Sequence, residues 1–261
     1  MSFKTPYAAA ILAALIAPHA QAASREATLP GAALLIDSPC ARHVDITPDA
    51  ALHGQVAIAA TAEHEEELAR LVMEGGAAVK LRTVREGCWR PLPFVHFQPT
   101  LTLLVRVPAG TALSIAESGA GAYAIGAVGG PMRLDLSGAA TIEAQAAASL
   151  HADISGEGSV NIAKAEGKAD IAISGAGRVS IGEAAMPTLD VNLSGAGSVS
   201  VASGHVGRAT FDESGFGKVS VGGEVGDATV DISGAGSIHF AKVTGSLEKH
   251  VSGAGTVTVG E

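Results

Sequence analysis

The sequence predicts an all-β fold: a parallel β-helix, or β-solenoid, of about eight 18–20-residue coils, with an N-terminal β-rich segment continuing or capping one end. Three observations predict it. First, the tetrapeptide Ser-Gly-x-Gly recurs from Ser118, Ser137, Ser155, Ser174, Ser194, Ser214, Ser233 and Ser252, with Ala140 replacing the last glycine of the second copy. Second, the spacings are 19, 18, 19, 20, 20, 19 and 19 residues, the near-constant period of a stacked structural repeat. Third, with 33 glycines in 261 residues, 47% apolar and 3% aromatic residues, the composition is that of an ordered, turn-rich chain of small side chains.

Residues 1–22 read as an export signal. Lys4 gives a positive start, Ala8 to Ala17 is a ten-residue apolar stretch too short to span a bilayer, and Ala20-Gln21-Ala22 places small residues where a signal peptidase cuts. No later segment carries 18 uninterrupted apolar residues, so no membrane span is expected in the mature chain. Residues 23–41, with Pro30, Gly31 and Pro39, read as a linker. Residues 42–116 read as a β-rich part: His43–Ile46 and Gln55–Ile58 alternate like half-buried strands. Glu63 to Val72 suits a short helix or turn with Leu68, Leu71 and Val72 on one face, stopped by Gly75-Gly76. Ala78–Arg82 and Leu101–Val107 are two further strands.

Residues 117–261 are the repeat region. Counting each Ser as zero, positions +5 and +7 are apolar in all eight copies, for example Val179/Ile181 and Val199/Val201. Positions −3 and −1 are apolar except at Glu117, Glu213 and Lys249, and the intervening positions are small or polar. Side chains alternate faces along a strand, so −3, −1, +5 and +7 should line the interior of one coil with a sharp corner between its two strands. A Val or Ala ten to twelve residues after each Ser, such as Val128, Val206 and Val225, closes a third side. One-residue length changes fall near turns at Gly129-Gly130, Met186-Pro187 and Gly222-Gly223, where an added residue does not flip a strand. A lone coil cannot offset its own ordering entropy, so neighbours must stack. The corner glycines are expected to supply positive φ and close backbone approach, and the corner serines to bond nearby backbone as structural turns.

The two cysteines, Cys40 and Cys88, are expected to form a disulfide in an oxidising compartment, closing 47 intervening residues. Such a bridge contributes about 4 kcal/mol. The mature chain carries 16 Lys and Arg against 26 Asp and Glu, net −10, which argues against nucleic acid and anionic lipid as partners. No cofactor or metal site is expected: zinc spacings, phosphate-binding glycine loops and the nonapeptide calcium repeat are absent. Eight recurring serines without an elbow motif or a base beside them read as turns, not nucleophiles. Asp135, Asp153, Asn192, Asp212, Asp231 and His250 occupy position −2 and should face outward as a solvated row. Asp135 and Asp153 are the nearest to a ligand pair or to the paired carboxylates of a carbohydrate-active enzyme. The sixth repeat stands apart: Asp212, Glu213 and Phe216 form a candidate contact site.

The stretch from His43-Val44-Asp45-Ile46, through Leu103–Pro108, to Ser252-Gly253-Ala254-Gly255 resembles the head-GIN domain family, exported bacterial proteins described as putative autotransporter adhesins. The resemblance spans roughly residues 42–259 and implies a right-handed parallel β-helix, with no catalytic residues to carry over. A classical autotransporter ends in a membrane barrel of about ten-residue strands, and nothing of that kind follows the last repeat here, so a periplasmic or secreted cell-envelope protein is expected. The leading expectation is a non-catalytic, adhesin-like binding module for a protein or glycan. The alternative is a structural envelope protein that forms a homo-oligomer through open solenoid ends. A carbohydrate-active enzyme is the third.

Overall fold

The computed structural model describes residues 22–84 and 99–260. The segment before residue 22, with most of the expected signal peptide, lies outside them, as do Cys88 and Trp89. The N-terminal part comprises β1 (Ala23–Pro30), β2 (Ala33–Asp37), β3 (His43–Pro48), β4 (Gln55–Ala62), α1 (Glu65–Arg70), β5 (Leu71–Glu74), β6 (Val79–Thr83) and β7 (Thr102–Val107). The first repeats hold β8 (Ala112–Glu117), β9 (Ala122–Ile125), β10 (Pro131–Leu136), β11 (Thr141–Ala147), β12 (Ser149–Ile154), β13 (Ser159–Glu166) and β14 (Ala169–Ile173). Three long strands bend around the third side: β15 (Arg178–Leu193), β16 (Ser198–Glu213) and β17 (Lys218–Ile232). β18 (Ser237–Val243), β19 (Leu247–Val251) and β20 (Thr256–Val259) complete the last rungs.

The repeats stack as parallel rungs whose corner-flanking strands keep one register, the shifts between β16, β17 and β18 falling on the third side. Asp135 lies beside Asp153, Val179 beside Val199 and Val219 beside Ile238. The expected inward positions are buried in the first seven repeats: Val160, Val179 and Phe240 are 0% exposed. A further inward row at −5, including Leu113, Met132, Leu150 and Leu189, extends the core beyond what the alternation had marked. The last rung differs because no described strand covers it: Val251 and Val259 are 45% and 44% exposed. An extra residue at Ala202–Gly204 shifts register between β16 and β17, and Gly204 absorbs it with φ +105°.

Residues 23–41, read as a linker, instead carry β1 and β2. β1 has a partner the sequence did not reveal, pairing antiparallel with β4 from Ala23↔Ala62 to Pro30↔Gln55. Rung order also departs from chain order. β2 and β3 stack between β6 and β7 on one side and β8 and β9 on the other. The N-terminal end of the rod is finished by antiparallel strands, β4 on β7 and β5 on β6. The helix is only Glu65–Arg70, and Leu71 and Val72 open a strand.

None of the repeat-corner glycines has a positive φ; their role is close approach alone. At the first corner glycine from Gly138 onward, an added Cβ would run into the carbonyl oxygen of the matching glycine one rung below. At the last, it would meet the −1 side chain of the rung below: Ile173 at Gly197 (2.6 Å) and Leu193 at Gly217 (2.8 Å). This accounts for the exception at Ala140. The −1 residue beneath it is Glu117, whose carboxylate is tied into its own corner by the Gly119 N–H (2.8 Å) and the Tyr123 hydroxyl (2.5 Å). It leaves Ala140 room, fully buried. Burial, followed by the adjoining carboxylate, pushes the Tyr123 phenol far above its ordinary range.

Candidate binding site

The corner serines do not act mainly through their hydroxyls. Their N–H groups carry the ladder, as from Ser194 to the Ile173 carbonyl (3.0 Å). Ser118 Oγ meets Ser38 Oγ at 3.1 Å and Ser252 Oγ reaches the Ile232 carbonyl at 3.5 Å. The hydroxyls of Ser174, Ser194, Ser214 and Ser233 have no hydrogen-bond partner among the described residues and line a groove. Its other wall is the −2 row: Asp153, Ala172, Asn192, Asp212, Asp231 and His250. The groove has a volume of about 740 Å³. From Asp153 to His250 it crosses five rung spacings, about 24 Å at the usual strand separation.

The carboxylates of the rod divide into two kinds. Asp135 is clasped by Arg133 through two bonds of 3.0 Å, and Lys168 holds both Asp170 and Asp190. Asp153, Asp212 and Asp231 have no ion pair among the described residues, and Asp212 and Asp231 are register neighbours. Their negative field is offset within the groove only toward its last rung, where Lys249 also lines it. The pair of Asp135 and Asp153 does not stand ready as two equivalent acids, because Arg133 occupies the first. No group of three or more His, Cys, Asp or Glu able to hold a metal is found among the described residues.

Of the expected contact residues, Asp212 faces the groove, and Phe216 stands on the corner ridge, 78% exposed. Glu213 does not belong with them: it is 3% exposed and its Oε1 accepts the Gly217 N–H at 2.8 Å. The corner turns this amide inward, and a carboxylate at −1 can satisfy it where an aliphatic cannot. Its Oε2 has no partner and packs where Gly236 of the next rung lacks a Cβ. Cys40 lies on a corner with φ +54°, and no free cysteine occurs among the described residues.

A second groove, missed in the sequence, runs along the other sheet. Asp45, Glu143, Gln145, Asn161, Ser180 and Ser200 line about 620 Å³ of it. Thr47 continues it into about 540 Å³ beside Glu26, Leu104 and Arg106. Small residues at +8, such as Gly126, Ala163 and Gly182, keep it open and were its available signal.

The fold recurs in solved structures. A putative adhesin from Parabacteroides distasonis ATCC 8503 has a TM-score of 0.65 at 12% identity, over 92% of this chain and 98% of that one. A putative adhesin from Bacteroides fragilis NCTC 9343 gives 0.55 at 13%, over 93% and 98%. A protein from Parabacteroides distasonis ATCC 8503 described as a putative lipid binding protein gives 0.51 at 16%, over 92% and 97%. At these identities the likeness shows the fold alone. No curated protein matches the chain. Residues 162–260, which build the last rungs and most of the serine-lined groove, match the family described as putative auto-transporter adhesin, head GIN domain.

Proposed function

We propose that this chain is an exported, non-catalytic envelope protein that binds an extended ligand along the serine-lined groove. The observation that carries the reading is the groove's form: about 740 Å³ drawn out over six rungs, with carboxylates that form no ion pair among the described residues on one wall and serine hydroxyls on the other. A chain of sugar units presents hydroxyl donors at intervals a repeating wall can meet, and a protein strand with lysines would also satisfy the carboxylates. Phe216 on the adjoining ridge adds an apolar contact that a solvated corner has no need of. The family's adhesin description supports binding over catalysis, and the Ala8–Ala17 stretch with Ala20-Gln21-Ala22 supports export. A Cys40–Cys88 disulfide fits that compartment, since disulfides form and persist where the surroundings are oxidising.

The test is a glycan array, with surface-protein extracts as a second panel, probed with residues 23–261 and with an Asp212→Asn/Asp231→Asn/Phe216→Ala variant. Capture by the native chain that falls at least about tenfold in the variant supports the reading. Equal capture by both removes this groove from the function.

A further inference from the structure

We infer that the outer edge of β20 is a docking surface for a second copy of this chain, joined about a two-fold axis. Three observations lead there. The rod finishes its N-terminal end with antiparallel strands, β4 on β7 and β5 on β6, while no described strand pairs with the outer edge of β20. The last rung leaves Val259 44% exposed although the same row is buried in every earlier repeat. And β20 reads Thr256-Val257-Thr258-Val259: β-branched, uncharged and free of proline, with none of the devices that protect an edge. β19, beside it, has such a device, for Lys249 occupies an inward position there.

The hydrogen bonds fix the register. The Thr256 N–H donates to the Gly236 carbonyl (3.0 Å) and the Gly260 N–H to the Phe240 carbonyl (2.9 Å). Even-numbered residues thus spend their backbone groups on β18, and those of Val257 and Val259 point to the free edge. An antiparallel copy centred on Thr258 sets Val257 opposite the partner's Val259, so the two exchange both N–H···O=C bonds, and symmetry repeats the exchange. Valine then meets valine on the inner face, and Thr258 meets the partner's Thr258 on the outer. No like charges are opposed within the strand pair. Shifting by one residue would set inward against outward faces and leave Val259 unmatched. The same antiparallel solution that closes the other end of the rod is supplied here by the partner.

At the centre of such a pair the two Thr258 residues form a non-hydrogen-bonded pair with Cα atoms about 4.5 Å apart, within disulfide reach. The test is sedimentation equilibrium of residues 23–261 in about 0.15 M salt, which screens the net charge, together with Thr258→Cys and, as a control in the same outward row, Ser220→Cys. Expected are a reversible monomer–dimer equilibrium, covalent dimers from Thr258→Cys but not from Ser220→Cys under mild oxidation, and association weakened at least about tenfold by Val257→Lys with the circular dichroism unchanged. A strict monomer, open-ended polymers, or equal cross-linking by both cysteine variants would overturn the proposal.

Discussion

Replacing Gly236 with alanine drives a methyl group into the place held by the Glu213 carboxylate of the rung below. That carboxylate cannot retreat freely. It is buried at 3% exposure and anchored by the Gly217 N–H at 2.8 Å. Overpacking a tight site costs about 1–3 kcal/mol, and breaking a hydrogen bond to a charged group about 1.5–3 kcal/mol. The two overlap, since one displacement does both, so Gly236→Ala should lose about 3 kcal/mol. Glu213→Ala alone leaves the Gly217 N–H without its acceptor, at about 1–3 kcal/mol. With the carboxylate gone, however, the methyl has space, and Gly236→Ala on that background should change stability by less than about 1 kcal/mol. The natural counterpart is Ala140, which occupies the same corner position above Glu117, a carboxylate held down by Gly119 and Tyr123. Urea unfolding of the four proteins, followed by far-ultraviolet circular dichroism, yields the coupling, expected at about 2–3 kcal/mol. Additive losses would refute the argument that the corner glycine makes room for the side chain beneath it.

Three further perturbations separate the other forces in the rod. Gly215→Ala sets a Cβ against the Gly195 carbonyl oxygen, a backbone atom that no neighbouring substitution can move, so the loss should be about 3 kcal/mol or more, measurable in the same denaturation and not rescued at Glu213. Val199→Asp buries a charge at a position 1% exposed and should abolish cooperative unfolding of the middle rungs, while Ser200→Asp, facing out, should stay within about 1 kcal/mol in a thermal melt. Asp227 accepts the Ser246 N–H (2.9 Å) and hydroxyl (2.8 Å), bonds that hold its carboxyl below the usual range. A lowered folded value means stabilisation that is full above the ordinary Asp pKa and is lost as pH falls through the folded one. Amide exchange at Ser246 should therefore quicken only in acid below the ordinary Asp range, and Asp227→Asn should remove that dependence.

Much of the fold could be read from the repeat because a strand has period two and each rung repeats the same strands. Val179, Val199 and Val219 announce their direction by recurring with polar neighbours, and a parallel ladder then sets them side by side. The −5 row escaped because Ala169, Ala209 and Ala228 are small enough to suit either face. The order of the first rungs escaped for a different reason. Whether β2 and β3 lie at the end of the rod or between β6/β7 and β8/β9 depends on pairings more than forty residues apart along the chain, and alternation within each strand is the same in either case. Glu213 was legible as an exception to the apolar row, but its direction was not. The inward N–H of Gly217, which makes a buried carboxylate acceptable, exists only once the corner has folded.

The division between inner and outer columns also indicates where specificity can reside. Any change at −1, +5 or +7 passes into the rungs above and below, because each side chain there packs on its own counterpart. The outward columns carry no such constraint. Asp153, Ala172, Asn192, Asp212, Asp231 and His250 occupy equivalent places with unrelated chemistry, and the rod is indifferent to which of them is present. Phe216 is the sharpest instance. Its counterparts on the adjacent corners are Ala196 and Ala235, and its own backbone N–H bonds Gly195 as Ala235 bonds Gly215, at 3.0 and 2.9 Å. Alanine at 216 would therefore complete the ladder unchanged. A ring left 78% in water at a site where the scaffold accepts a methyl does nothing for the rung that carries it, and this is the physical ground for including it in the proposed binding surface.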